Sequence, residues 1–421
     1  MSETVFTYAA PALKFGTGAS GEIGHDLQAL GAQRVLLVTD AGVAATGHPA
    51  RIAEQMTARG LHVTTYDRAR VEPTDASLVE AIDFARDAGP FDAVVAVGGG
   101  STIDTAKAVN LLTTNPGGLM DYVNAPVGKA QAPTQPLLPL VAVPTTTGTG
   151  SESTTICVLD VLALHVKTGI SHPALRPRLA VVDPALTLTQ PAMVTAASGM
   201  DILCHALESY TARWYADFEA KRPEQRVPYC GANPVADMWS EKALSLLAGA
   251  FRTAVRDGSD TVSREQMALA ATFAGLGFGN AGVHIPHANA YPIAGRVRGF
   301  RPEGYPADEP IVPHGMAVSL TAPEAFRFTF EADPGRHLRA ARLLEPDADL
   351  GDGPDALPGV LVRLMRDIGI PNGLAEVGYD DGDVDPLVEG ALQQQRLLAT
   401  APREVTGEDL AGVFRGSMEH W

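Results

Sequence analysis

The stretch Phe91–Lys107, FDAVVAVGGGSTIDTAK, reads as a buried strand, a glycine turn and the opening turns of a helix. A short β-branched apolar run that ends in Gly and is followed by a helical pattern is the unit from which parallel sheets are built. The same alternation continues on both sides. Arg34–Asp40 (RVLLVTD), His62–Asp67 and Leu138–Val143 read as further strands, and residues 21–30, 50–59, 76–88 and 102–112 as helices between them. Right-handed crossovers and a parallel sheet follow, an α/β fold class. Val181-Val182-Asp183-Pro184 closes the last strand-like run, and from Pro191 onward the segments are long and helical, with no strand signal after Pro184. At 421 residues the chain exceeds the roughly 250 to 300 residues at which single cores stop growing, so two domains are expected. The boundary predicts an α/β domain over 1–187 and an all-helical domain over 188–421.

Ligands of such sheets bind at the carboxyl ends of the strands. Two loops fall there. Gly98-Gly99-Gly100-Ser101 precedes a helix bearing Asp104 and Lys107, so its amides and the helix dipole could receive a pyrophosphate, although a plain tight turn reads equally simply. Pro144–Glu152 (PTTTGTGSE) follows the next strand and offers several hydroxyls, as a ligand loop or as a polar cap for a helix. Asp40 ends the first strong strand, either as an acceptor for ribose hydroxyls or as an ordinary strand-terminating Asp.

The second domain opens on Gly199–Tyr210, GMDILCHALESY, with Asp201 and His205 four residues apart on one helical face. Alone that spacing is commonplace for a solvated carboxylate and imidazole. It is followed by AGVHIPHANAYPIAG (281–295), with His284 and His287, and by VPHG (312–315), with His314. One carboxylate and up to three imidazoles form an N/O donor set suited to Fe(II) or Zn(II). The cleft between the two domains is where such chemistry is expected.

GMDxxxHxxExY, the His-rich turn and PHG together resemble the iron-containing alcohol dehydrogenase family. Within it, TFAGLGFGNAGVHIPHANAYPIAG (272–295), the long insertion before VPHG, and SLTAPEAFRFT (319–329) resemble the hydroxyacid-oxoacid transhydrogenase branch. The resemblance runs from Phe15-Gly16 to the last helical segments. It implies Asp201, His205, His287 and His314 as ligands of Fe(II) or Zn(II), and an NAD site lined by Asp40, Gly98, Gly99, Gly100, Ser101, Asp104, Thr145, Thr146, Thr149, Thr154 and Lys167. Where the family often has an Asn before a Pro-Thr, this chain has Glu72-Pro73-Thr74, so that ribose contact is not assigned. His284 could face substrate or pack in the core. Tyr291 stands where the simple alcohol dehydrogenases carry a proton-relay histidine, and a tyrosine of ordinary pKa near 10 is a poor base at neutral pH. The implied reaction takes hydride from 4-hydroxybutyrate to 2-oxoglutarate, and the implied assembly is a homo-oligomer. An NAD-dependent alcohol dehydrogenase or aldehyde reductase is the alternative, and a lyase like the dehydroquinate synthases a weaker one.

Composition bounds the partners. A net charge of -17 argues against a phosphate-backbone partner, which needs a basic face, so no nucleic acid is expected and small molecules are. Arg296, Arg298 and Arg301 form a local basic run with no acid until Glu303; it suits a substrate carboxylate, or is a solvated loop. Cys157, Cys204 and Cys230 read as reduced thiols, no stretch has the roughly 18 apolar residues of a membrane span, and the start has no signal-peptide pattern, so a cytoplasmic, membrane-free protein is expected.

Overall fold

A computed structural model describes residues 1–164, 166–305 and 310–421. His165, beside Lys167, and residues 306–309 of the arginine-bearing insertion lie outside the described residues. The chain forms two compact units, Ala10–Thr189 and Gln190–Trp421, the latter joined by Met1–Ala9.

The first unit contains β1 (Ala12–Phe15), α1 (Ile23–Ala29), β2 (Arg34–Val38), α2 (Ala41–Ala44), α3 (His48–Ala58), β3 (His62–Tyr66), α4 (Asp75–Ala88), β4 (Ala93–Gly98), α5 (Gly100–Thr114), α6 (Leu119–Tyr122), β5 (Leu140–Pro144), β6 (Ile156–Val161), β7 (Val166–Ser171) and β8 (Leu179–Val182). Six strands make one parallel sheet in the order β1-β8-β5-β4-β2-β3. Alternate residues face opposite sides of a strand. Val94, Ala96, Leu140 and Ala142 accordingly pack with α4 and α5, whereas Val95, Val97, Val141 and Val143 pack with α1 and α3. With both faces covered, the strands read as unbroken apolar runs. The chain passes from β2 outward to β3 and then returns across β2 to β4. That reversal opens a crevice beyond the carboxyl ends of β2 and β4, where Asp40 and Gly98–Ser101 lie.

The antiparallel ribbon β6–β7 is an element the sequence reading missed. Its strands are joined through the turn Leu162–Leu164, without the Asn-Gly or Asp-Gly pair that marks a tight hairpin.

The second unit is built from α7 (Ala192–Thr211), α8 (Pro234–Arg256), α9 (Thr261–Ala281), α10 (Ile285–Gly295), α11 (His314–Thr329), α12 (Pro334–Leu344), α13 (Ala356–Asp367), α14 (Val384–Leu392), α15 (Gln395–Leu398) and α16 (Gly407–Gly416). No single helix among the described residues is long and apolar enough to cross a membrane. Met200, Leu203 and Leu207 of α7 join Leu244, Phe251, Met267 and Met316 in one core. The helical pattern of residues 386–398 is carried by two short helices, α14 and α15. Residues 1–9, expected in the α/β domain, instead extend along the helical unit. The Asn280 side chain bonds both backbone groups of Ala9, at 2.9 and 3.1 Å, and Glu3 pairs with Arg226.

Gly199 faces α8 so closely that a Cβ there would lie 2.2 Å from the buried ring of Phe251. Overpacking a filled core costs about 1–3 kcal/mol. Gly199→Ala should therefore lower the urea midpoint of the helical unit, and Phe251→Leu in the same chain should restore part of it. An unmoved midpoint would contradict this account of the α7–α8 contact.

Candidate functional site

Asp201, His205 and Glu208 occupy one stripe of α7, at positions i, i+4 and i+7. All three are buried. α10 brings His287 and Tyr291 one turn apart, and His314 is the first residue of α11. The N-terminus of α11 comes near α7 because Gly315 has no side chain: a Cβ there would lie 2.1 Å from the Ala197 carbonyl and 2.7 Å from Asp201 Cβ.

Asp201 Oδ1 is 3.7 Å from His205 Nε2, 3.5 Å from His287 Nε2 and 3.9 Å from His314 Nε2. Four donors about 2.1 Å from one tetrahedral ion stand roughly 3.4 Å apart. Asp201, His287 and His314 each offer a ligand atom within 4.8 Å of the others, and His205 stands beside them. Asp201 Oδ1 and His287 Nε2 are buried without a hydrogen-bond partner, an arrangement that a cation would satisfy. The donor set therefore fits a divalent metal.

The electrostatics point the same way. Burial favours a neutral Asp201, but His205, His314 and His287 hold its carboxyl well below the usual range. Burial pushes His205 down to about 3. It also opposes charge on His287, yet Glu208 and Asp201 raise that imidazole to about 9. Glu208 is the functional residue that sequence reasoning passed over, although it stands in the quoted motif. Its Oε1 lies 2.6 Å from His287 Nδ1, while Oε2 accepts the His284 backbone N–H at 2.6 Å. A carboxylate on the far nitrogen of a ligand histidine fixes its tautomer and raises its basicity. Phe278 was also missed; it stacks on His205 at 3.8 Å.

His284 is fully buried, with Nε2 3.1 Å from Thr211 Oγ1 and its ring edge-on to Phe326. Tyr291 is buried, 6.4 Å from His314 between ring centroids. Arg296, Arg298 and Arg301 are exposed. Arg298 is paired with Asp383, and Arg301 reaches the Gly299 carbonyl at 3.4 Å.

In the α/β unit, a Cβ on Gly98 would strike Thr102 at 2.4 Å and one on Gly100 would strike Thr149 at 2.5 Å, so the glycine turn and the threonine loop interlock. Thr146 closes over Gly99, its Oγ1 3.1 Å from where a Cβ there would lie. Thr145 donates its N–H to the Gly98 carbonyl, and its hydroxyl is buried without a partner. Asp40 caps α2 through Val43 N–H and accepts from Thr102 Oγ1 at 2.9 Å. Asp104 and Thr154 are engaged internally: Lys107 Nζ reaches both, at 3.3 and 3.0 Å, and Asp104 also accepts from Ser151 and from the Val158 N–H. Lys167 is buried between Glu72 and Asp160, and Glu72 donates its N–H to Ser101 Oγ at 3.2 Å.

Residues 10–184 match the model of iron-containing alcohol dehydrogenase, and residues 224–418 that of the Fe-containing alcohol dehydrogenase family, C-terminal. The chain belongs to the iron-containing alcohol dehydrogenase family. It is an oxidoreductase, and members of the family work with a metal and NAD. The chain is 44% identical over 424 residues to hydroxyacid-oxoacid transhydrogenase, mitochondrial, of Bos taurus, covering 99% of this chain and 91% of that protein. Among solved structures, 1,3-propanediol oxidoreductase is similar at TM-score 0.86 and 31% identity, over 98% of this chain and all of that one. Sulfoacetaldehyde reductase of Bifidobacterium kashiwanohense, in complex with NAD+, gives 0.81 and 26% over 98% of both chains. The cytoplasmic location expected from the sequence is overturned by the bovine relative, a mitochondrial protein.

Replacing Glu208 with Gln keeps an acceptor for the His284 N–H but removes the charge beside His287. Loss of such a partner typically lowers metal affinity about 10- to 100-fold. Competition against a chromophoric chelator should show that loss, with far-UV circular dichroism unchanged; equal affinity would deny Glu208 any part in holding a metal.

Proposed function

We propose that the protein is a hydroxyacid-oxoacid transhydrogenase that uses a divalent metal, Fe(II) or Zn(II), held by Asp201, His205, His287 and His314, and one NAD that is reduced and reoxidised without leaving. The observation that carries this reading is 44% identity, over 99% of the chain, to a protein of that name. The substrate pair is 4-hydroxybutyrate and 2-oxoglutarate, giving succinate semialdehyde and 2-hydroxyglutarate. One hydride and one proton leave the first acid and arrive on the second, so the pair balances with no external oxidant.

When bound, the metal supplies Lewis-acid polarisation of the substrate oxygen and NAD the hydride acceptor and donor. The chain's residues do the rest. Asp201 contributes the negative charge that makes a dication welcome among three imidazoles. Glu208 holds the His287 ring by Nδ1, leaving Nε2 directed at Asp201. Burial of Asp201, His205, Glu208 and His287 keeps these groups from bulk water, which strengthens each of these electrostatic interactions. Tyr291, one turn after His287 and edge-on to His314, is in this reading the candidate to pass the proton, as a hydroxyl donor rather than a base. In the other unit, amides at the start of α5 suit a pyrophosphate, and Asp40 disfavours a 2′-phosphate. NAD is supported by the NAD+ complex of the sulfoacetaldehyde reductase.

The likeness to 1,3-propanediol oxidoreductase favours a second reading, a dehydrogenase that exchanges NADH with solution. Isotope transfer separates the two. Metal-loaded protein, freed of unbound nucleotide, is given 4-hydroxybutyrate deuterated at C4 together with 2-oxoglutarate. Mass spectrometry should find deuterium at C2 of 2-hydroxyglutarate with no NAD added. Label that appears only in free NADH, after NAD is supplied, would make the protein an ordinary dehydrogenase.

A further inference from the structure

A hydroxy or oxo acid needs a cationic partner for its carboxylate, and in a chain of net charge -17 that partner must be local. Of the arginines of the insertion, Arg298 is already paired with Asp383 and Arg301 leans on a backbone carbonyl. A different arginine lies on α15. Arg396 is exposed, and its Cζ sits 5.0 Å from the centroid of the buried Tyr229 ring. No carboxylate pairs with Arg396 among the described residues.

Tyr229 links this arginine to the metal cluster. Burial pushes its hydroxyl up to about 12, Arg396 pulls against that, and Tyr291 and Glu208 add to it. Tyr291 in turn abuts His314. The placement is rigid. Cys230 and Gly231 N–H groups bond the carbonyls of Asn280 and Ala281 at the end of α9, and Thr400 Oγ1 donates to the Val283 carbonyl at 2.6 Å. Gly282, at φ 99°, fits between Tyr229 and Thr400, each 3.2 Å from where its Cβ would be. The turn that launches α10, with His287 and Tyr291, is thus fastened to the segments that carry Tyr229 and Arg396.

We propose that Arg396, backed by Tyr229, is the specificity-determining residue that receives the carboxylate of the acid substrates while their hydroxyl or oxo group is held at the metal cluster. This rests on the reading of the protein as an enzyme of hydroxy and oxo acids. A guanidinium stacked on an aromatic face is preorganised, and its fork takes a carboxylate bidentately.

The test is calorimetric binding of 2-oxoglutarate to metal- and NAD-loaded protein, together with the deuterium transfer described above. Arg396→Gln should weaken binding about tenfold or more, with metal content and Tm unchanged because the side chain is exposed. Arg396→Lys should recover part of the loss, as a charge without the fork. Replacing Arg296, Arg298 and Arg301 together with Gln should leave affinity near that of wild type. If Arg396→Gln binds as wild type does, or if only the triple variant weakens, Arg396 is not the anchor. A wild type that neither binds 2-oxoglutarate nor passes deuterium to it overturns the activity reading itself, and the anchor with it.

Discussion

An ionised carboxylate in a protein interior needs positive company, because desolvation of an unpaired charge costs several kcal/mol. Asp201 is such a carboxylate, and the helical unit can be read as the apparatus that supplies its company. α7 sets His205 one turn away on the same stripe. α10 delivers His287, whose ring lies between Asp201 and Glu208. α11 starts at His314, and it approaches only because Gly315 has no side chain to collide with Ala197. Glu208 and Asp201 raise the pKa of His287 to about 9 against the effect of burial, so a protonated imidazole would offset the two acids in part. A dication in the same space would take over that role with more charge, which makes the affinity for metal a property of helix packing as much as of ligand identity.

A buried lysine plays a comparable part in the α/β unit. Lys107 has no solvent exposure, and it donates to Asp104, Ser151, Thr154 and the Ile156 carbonyl. Burial pulls its pKa down and Asp104 opposes that. The network joins α5 to the segment after the threonine loop, so the two loops expected to hold a dinucleotide are parts of one body. It also changes the meaning of Asp104 and Thr154. Their side chains take part in holding the two loops together.

The parallel sheet and the helical half were readable because both rest on periodicity, and buried strands such as Ala93–Gly98 carry unbroken apolar runs. Asp201 and His205 were readable as a pair because the helix itself sets their geometry. The joining of α7, α10 and α11 was not readable from spacing; it depends on close approach between segments about a hundred residues apart, and only resemblance pointed to it. Glu208 sat in plain view, but its role requires knowing that His287 comes back against it. The β6–β7 ribbon and the docking of residues 1–9 on the helical unit escaped for the same reason, since each is held by partners distant in sequence.

An acidic surface repels carboxylate substrates at long range, so the chain gains nothing from electrostatic steering. Selectivity for acids must then arise at contact, where a short-range guanidinium can outweigh a diffuse field that salt screens within about 10 Å. Arg298 of the insertion is already neutralised by Asp383. An arginine held against a buried tyrosine, on segments fastened to the turn that positions His287, keeps a fixed relation to that side of the cluster. Such an arrangement would let one binding mode serve both acids of a transhydrogenation, since 4-hydroxybutyrate and 2-oxoglutarate each carry a carboxylate three bonds from the carbon that reacts, the latter with a second carboxylate on that carbon.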